Sequence, residues 1–221
     1  MAKTRSYKLL CPIARGLDRI GDRWTLLILR DLHAGPARFT ELQKGPTGIA
    51  ANLLTERLSK LTDDGLIKRS EAAHGVTVYE LTSLGASTSN IILELALFGA
   101  KFPAEGPTVR PGNLRTVATT IGAVADKVVS DHMSFVALLD VDGESIVLSV
   151  GNGRARACYG SDASADVILS TRYEALLAVS EGEMSLEVFA SQHSKLETLD
   201  ERAGQEFLHL MSAIIDEFQA N

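Results

Sequence analysis

The order of apolar and polar positions divides the chain into a helical first half and a mixed second half. "PIARGLDRIG" predicts a helix with Pro12 at its first position and Gly21 near its end. "DRWTLLILRDLHAG" predicts another, apolar through its middle and stopped by Gly35-Pro36. A short helix follows in "RFTELQKG", with Thr40 as candidate N-cap. In "ANLLTERLSKLTDDGLIKR", Ile49 just ahead of it, Leu54, Leu58 and Leu61 share one broad inward face, and Asn52, Thr55, Glu56 and Ser59 sit on the other side. Gly65 is expected to end this helix in a left-handed cap. "LIKRSEAAHGVTVYELT" alternates like two strands around a turn at Gly75, and a last helix is expected from about Leu84 through "NIILELALFGAKF".

"FPAEGPTVRPGN" holds three of the six prolines and two glycines and has no apolar period, so residues 103–112 are expected to be a linker. Beyond it, "NLRTVATTIGAVADKVVS" predicts a helix with Ile121, Val124 and Val128 on one face. "SFVALLDVDGESIVLSVGNGRARACYG" predicts two or three strands, with hairpin turns at Asp142-Gly143 and Asn152-Gly153. "ADVILS" is a further strand, "TRYEALLAVSEGE" and "SLEVFASQ" are helical, "KLETLD" is a last strand, and "AGQEFLHLMSAIIDEFQ" is an amphipathic closing helix. The expectation is two domains, residues 1–102 mainly α and 113–221 α+β with an antiparallel sheet.

Charge sharpens this division. The net charge is -6. The chain up to Phe102 holds 14 Lys/Arg against 10 Asp/Glu, a net +4, whereas 8 against 18 from Pro103 onward give a net -10. A basic half can meet a polyanion that an acidic half would repel. The apolar fraction of 45% and charged fraction of 23% are ordinary for a soluble protein. "IILELALFGA" is too short to span a bilayer, and the basic N-terminus has no signal-peptide core. Two cysteines, Cys11 and Cys158, imply no disulfide framework, so a reduced cytoplasmic location is expected.

Helices followed by a β-hairpin are the order of a winged helix-turn-helix. There a helix enters the major groove and the hairpin lies along the backbone or minor groove. "CPIARGLDRIGDRWTLLILRDL", "ARFTELQKGPTGIAANLLTERLSKLTDDGLIKR" and "VYELTSLG" carry a resemblance to the HxlR-type branch of the MarR-like transcriptional regulators, over about residues 7 to 102. The resemblance implies a DNA-binding regulator that dimerises through its first and last helices. The wing "SEAAHGVTVY" is shorter than usual in that family, and Ala50 and Asn52 stand where a serine and a lysine are common. The second half, through "ADVILSTRYEALLAVSEGE", is similar to the sterol carrier protein type 2 fold. That similarity implies an apolar tunnel between sheet and helices for a lipid-like or other apolar small molecule. The usual glycine-rich stretch is replaced by "ASQHSKLETLD".

Candidate DNA contacts are therefore Arg38, Asn52, Thr55, Glu56, Arg57, Ser59, Lys60, Lys68, Arg69 and His74. Arg38 precedes a helix start that suits a phosphate, and Lys68 and Arg69 open the wing. Arg57 lies toward the apolar side, where an ion pair is the alternative. Cys11, ahead of Pro12 with Lys8 and Arg15 close by, is a candidate redox or electrophile sensor, because a helix N-terminus and cations favour the thiolate; the alternative is a small buried apolar residue. The resemblance supports the sensor, since a cysteine there serves that role in some members. Cys158 falls in a strand and reads as structural.

His33, His74, His132, His193 and His209 have no ligand spacing, so neither metal nor cofactor is expected. "DVDG" is a hairpin turn rather than a calcium loop. With no nucleophile beside a base, an enzyme is not expected. The partners implied are double-stranded DNA, a second copy of the chain, and an apolar small molecule in the C-terminal domain, with no membrane. The rival reading is a hydrophobe carrier whose winged helix serves only to dimerise.

Overall fold

The computed structural model describes residues 6–46, 48–102, 110–160 and 164–219. The chain forms two compact units, Met1–Ile92 with Val109–Gly112, and Leu93–Thr108 with Asn113–Asn221. The expected linker falls mostly on 103–109, outside the described residues.

The first unit contains α1 (Pro12–Ile20), α2 (Thr25–His33), α3 (Phe39–Lys44), α4 (Ala51–Asp63), β1 (Ile67–Ala72), β2 (Val76–Leu81) and α5 (Ser83–Ala86). Its core is Ile28, Leu29 and Leu32 of α2 against Leu42, Leu54, Leu58, Leu61 and Ile67. The leucine spacing of α4 thus buries the face expected of it. Its end is a Schellman-type turn, in which Leu66 N–H donates to Leu61 C=O at 2.9 Å and Gly65 takes φ 71°. Helix α3 begins two residues earlier than expected: Arg38 holds the N-cap position and its N–H donates to the Glu41 carboxylate at 2.6 Å, leaving Thr40 inside the first turn. The wing is antiparallel, with Ile67 opposite Leu81 and Lys68 opposite Glu80. Ala37 adds a bridge to its outer strand, exchanging both hydrogen bonds with Tyr79 at 2.9 and 2.8 Å.

The single last helix expected from Leu84 is two helices, α5 and α6 (Ser89–Gly99). The break falls at Ser87 and Thr88, whose hydroxyls donate to the Leu84 and Gly85 carbonyls at 2.6 and 2.7 Å. Thr82 starts α5, its hydroxyl accepting from Gly85 N–H at 3.1 Å and donating to the Gly65 carbonyl at 2.6 Å. A Cβ at Gly85 would collide with the Leu66 carbonyl oxygen. The short α5 is therefore pinned to the start of the wing before α6 begins.

The second unit contains α7 (Arg115–Val128), β3 (Phe135–Val141), β4 (Glu144–Gly151), β5 (Arg154–Tyr159), β6 (Val167–Thr171), α8 (Tyr173–Ser180), α9 (Leu186–Val188), β7 (Ser194–Thr198) and α10 (Glu201–Gln219). The segment "SLEVFASQ" is one turn of α9 running into a wider turn, Phe189–His193. The sheet order is β5-β4-β3-β6-β7. It is mixed, not antiparallel as expected, because β3 and β6 run parallel, with Ala137 opposite Val167 and Val141 opposite Thr171. Hairpins join β3 to β4 to β5, so local turn chemistry announces those pairings. Reaching β6 needs a crossover from the far edge strand, and no local signal gives its direction.

Both hairpin turns form as expected, with Asp142 and Gly143 at φ 54° and 81°, and Asn152 and Gly153 at 53° and 67°. The face of Phe135, Ala137, Leu139 and Val141 is buried, with Ile146, Leu148, Val150, Val167 and Leu169 alongside. Helices α7 and α10 pack here: Ile121, Val124, Leu210 and Ile214 are buried, and Phe207 meets Phe135 edge-to-face at 6.0 Å. Cys158 lies half-buried in β5.

Candidate nucleic-acid interface and apolar cavity

Helix α4 turns its apolar stripe inward and leaves Ala51, Asn52, Thr55, Glu56, Ser59 and Asp63 exposed. This outer face is neutral to acidic. Its two cations are engaged at the sides of the helix. The Arg57 guanidinium, 21% exposed, pairs with Asp22 Oδ1 at 3.1 Å and with Glu56 Oε1 at 3.1 Å, which is the ion-pair role set out as its alternative. Lys60 Nζ donates to the Asp18 backbone carbonyl at 3.0 Å. Thr55 Oγ1 donates to the Ala51 carbonyl at 2.9 Å, while the side chains of Asn52 and Ser59 make no hydrogen bond among the described residues.

The exposed cations lie elsewhere. Arg38 is exposed at the start of α3. Lys68, 61% exposed, pairs across the wing with Glu80 at 3.2 Å. Ser70 and then Lys68 hold the Glu80 carboxyl below its usual range, so it stays ionised beside that lysine. Arg69 lies over the Tyr79 ring at 5.8 Å. His74 is exposed at the wing tip in the left-handed region, φ 64° and ψ 26°, beside Gly75 at φ 72°. The structure thus brings Asn52, Thr55, Glu56 and Ser59 onto one face, groups Lys68, Arg69 and His74 on the wing, and turns Arg57 and Lys60 away.

Two carboxylates escaped the sequence reading. Asp22 accepts from the N–H groups of Trp24 and Thr25 at 3.0 and 3.1 Å and from the Thr25 hydroxyl, capping α2 while it holds Arg57. An Asp three residues before Thr25 at a helix start was the available signal. Glu80 could be paired with Lys68 only once the hairpin register was known.

Cys11 is exposed at the N-cap of α1, with Pro12 next. Around it Leu10 (96% exposed) and Ile13 (75%) are also open, and α6 exposes Ile91, Leu95 and Phe98.

The second unit holds an apolar cavity of about 800 Å³. Val117, Ile121, Leu176, Phe189, Met211 and Ile215 are among its lining, drawn from α7, α8, α10 and the turn after α9. The closing-helix residues named by periodicity, Phe207, Leu208, Met211, Ile214 and Ile215, all line it. Among the described residues no His/Cys/Asp/Glu group could hold a metal ion, and no helix is long and apolar enough to cross a membrane.

Residues 19–106 match the HxlR-like helix-turn-helix family. The helix-turn-helix-type transcriptional regulator YdeP of Bacillus subtilis is 33% identical over 94 residues, 42% of this chain and 73% of that protein. The chain belongs to the HxlR-like helix-turn-helix family. The helix-turn-helix-type transcriptional regulator YodB of Bacillus subtilis is 28% identical over 103 residues, 45% of this chain and 92% of that one. The redox regulator HypR, solved in its reduced form, shares 27% identity over 41% of this chain and 92% of its own, with a TM-score of 0.39. Each of these likenesses spans less than half of the chain.

Proposed function

We propose that the protein is a dimeric, DNA-binding transcriptional regulator whose second unit takes an apolar effector. Residues 1–102 serve as the DNA-binding and dimerisation domain, 103–112 as linker and 113–221 as a sterol-carrier-like ligand domain. The observation that carries the DNA reading is α4, whose apolar side is locked into the core while its polar side is presented beside a hairpin with exposed cations. That is the arrangement needed to lie in a major groove with the wing on the backbone. Arg38, Lys68, Arg69 and His74 supply phosphate contacts. Asn52, Thr55, Glu56 and Ser59 face the bases, and Arg57 and Lys60 hold the helix in place. The exposed apolar residues of α1 and α6 form the dimer contact, since solvent does not favour Ile13, Leu95 and Phe98 in the open.

The cavity supports the effector half of the reading. An apolar volume of about 800 Å³ is within the size that takes a lipid-like or aromatic small molecule. A ligand that favours one arrangement of the dimer shifts DNA affinity by its differential binding to the two arrangements. Cys11, exposed at a helix start, is a second input site for an oxidant or electrophile.

The deciding measurement is fluorescence anisotropy with duplex DNA over a salt series. Affinity is expected to fall steeply with salt, and Lys68→Ala with Arg69→Ala is expected to lower the slope by about one per lost phosphate contact. An unchanged slope removes the wing from the interface. Absent DNA binding, with a fatty acid, sterol or aromatic hydrophobe still raising the melting temperature, leaves the carrier reading instead.

A further inference from the structure

The outer face of α4 offers no cation to the bases, which changes what it can select. Arginine and lysine in the major groove favour guanine, whose edge presents two acceptors, N7 and O6. Here Arg57 is withdrawn between Asp22 and Glu56, and Lys60 is bound to the Asp18 carbonyl. Glu56, with its side chain 57% exposed, remains the charged group best placed on the exposed middle of the helix. Asp63, the other exposed carboxylate, stands at its C-terminal end, whereas base contacts come from the N-terminal part of such a helix.

From this geometry we infer that Glu56 is a specificity-determining residue that selects cytosine, and that Arg57 is its positioning residue. The inference rests on the DNA-binding reading above. Arg57 Nη1 donates to Glu56 Oε1 at 3.1 Å, and its other side is anchored on Asp22, which in turn caps α2. The carboxylate is thereby tied through the guanidinium to the start of a core helix instead of swinging freely. A carboxylate accepts hydrogen bonds and cannot donate them. In the major groove cytosine offers the N4 amino group as a donor; guanine N7 and O6 and thymine O4 offer acceptors that repel Glu56. Adenine offers a donor at N6 next to an acceptor at N7, and ranks second. Asn52 stands one helical turn earlier on the same face, at the spacing of a neighbouring base step, and has the paired donor and acceptor that suit adenine.

Selection of bound duplexes from a randomised library tests this with the full chain, its Glu56→Gln and Glu56→Ala variants, and Arg57→Lys. Wild type is expected to require cytosine at one position of each half-site, with substitution by guanine costing roughly 5- to 150-fold in affinity. Glu56→Gln is expected to move that preference to adenine, since a side-chain amide pairs with N6 and N7. Glu56→Ala is expected to abolish the preference at that position, and Arg57→Lys to weaken it. In all three variants the salt slope stays within about one unit of wild type, because no phosphate contact is removed. Circular dichroism confirms that each variant folds. A wild-type site without a cytosine requirement, or the same selected site in Glu56→Gln, overturns the role of Glu56 while leaving DNA binding intact. Loss of DNA binding by the wild type itself overturns both readings.

Discussion

Gly122 lies in the middle of α7, where that helix crosses β5. A Cβ added there would sit 2.8 Å from the Ala157 backbone nitrogen, 3.1 Å from the Ala157 Cβ and 3.4 Å from its Cα. The nearest obstacle is strand backbone, which cannot swing aside as a long side chain would. Replacing Gly122 by alanine thus forces helix and sheet apart by several tenths of an ångström. Overpacking of this kind costs about 1–3 kcal/mol. Against it stands the better helix propensity of alanine, worth up to ~1 kcal/mol. Because the clash is with backbone, the upper part of the cost applies, and a net loss of about 1–2 kcal/mol is expected. For a unit of this size that lowers the melting temperature by roughly 4–10 °C.

Thermal unfolding followed by far-ultraviolet circular dichroism measures it. Gly16→Ala, in α1 with nothing within 4 Å of the added Cβ, is the control and is expected to be neutral or stabilising by up to ~1 kcal/mol. Adding Ala157→Gly to Gly122→Ala removes the 3.1 Å contact but not the 2.8 Å one, so it relieves only part of the clash. A Gly122→Ala protein that melts at or above the wild-type temperature would refute the close approach of α7 to β5.

Glu80→Gln removes the carboxylate beside Lys68 and is expected to strengthen DNA binding and raise the salt slope by up to about one; a weaker complex in anisotropy would argue that the pair shapes the wing. Asp126 accepts from Arg154 at 2.8 and 2.9 Å and from Ala155 N–H at 2.9 Å. Burial alone would raise its carboxyl, but these donors prevail and hold it below the usual range. A depressed carboxylate contributes stability fully present above its unfolded pKa near ~3.9 and lost as pH falls through its folded pKa. Asp126→Asn is therefore expected to cost about 1 kcal/mol near neutrality, with the exposed Arg154 discounted, and to unfold with a shallower acid limb below about pH 4 in urea titrations. Thr82→Ala removes the cap of α5 and its tie to the wing, at ~1–2 kcal/mol, read as an earlier urea midpoint.

The first unit was legible because its signals are local. Leucines four and three apart in α4, Pro12 at a helix start, Gly65 after a helix end and the alternation around Gly75 each act within one turn or one hairpin. What stayed hidden was set by partners distant in sequence. Arg57 is 35 positions from Asp22, and nothing in either neighbourhood announces their pairing. The β5-to-β6 crossover and hence the parallel β3–β6 pair were hidden for the same reason. The cavity was half legible: periodicity identified every apolar residue of α10 that lines it except Phe218, but a helix face looks the same whether it meets side chains or space.

The parallel pairing at the centre of the sheet also bears on how the chain acquires its structure. Strand β3 can close quickly on β4, and β4 on β5, through two tight hairpins with short loops. Its other edge waits for β6, some thirty residues further along in register. During that interval a strand that is apolar at every position but Asp140, Phe135 through Val141, stands with a row of unpaired backbone groups. Loop closure is the slow step in such topologies, and open edges of this pattern recruit other chains. Synthesis stalled before Val167 would therefore leave an aggregation-prone intermediate, and a chaperone that shields the β3 edge would raise the yield of the second unit without touching its final stability.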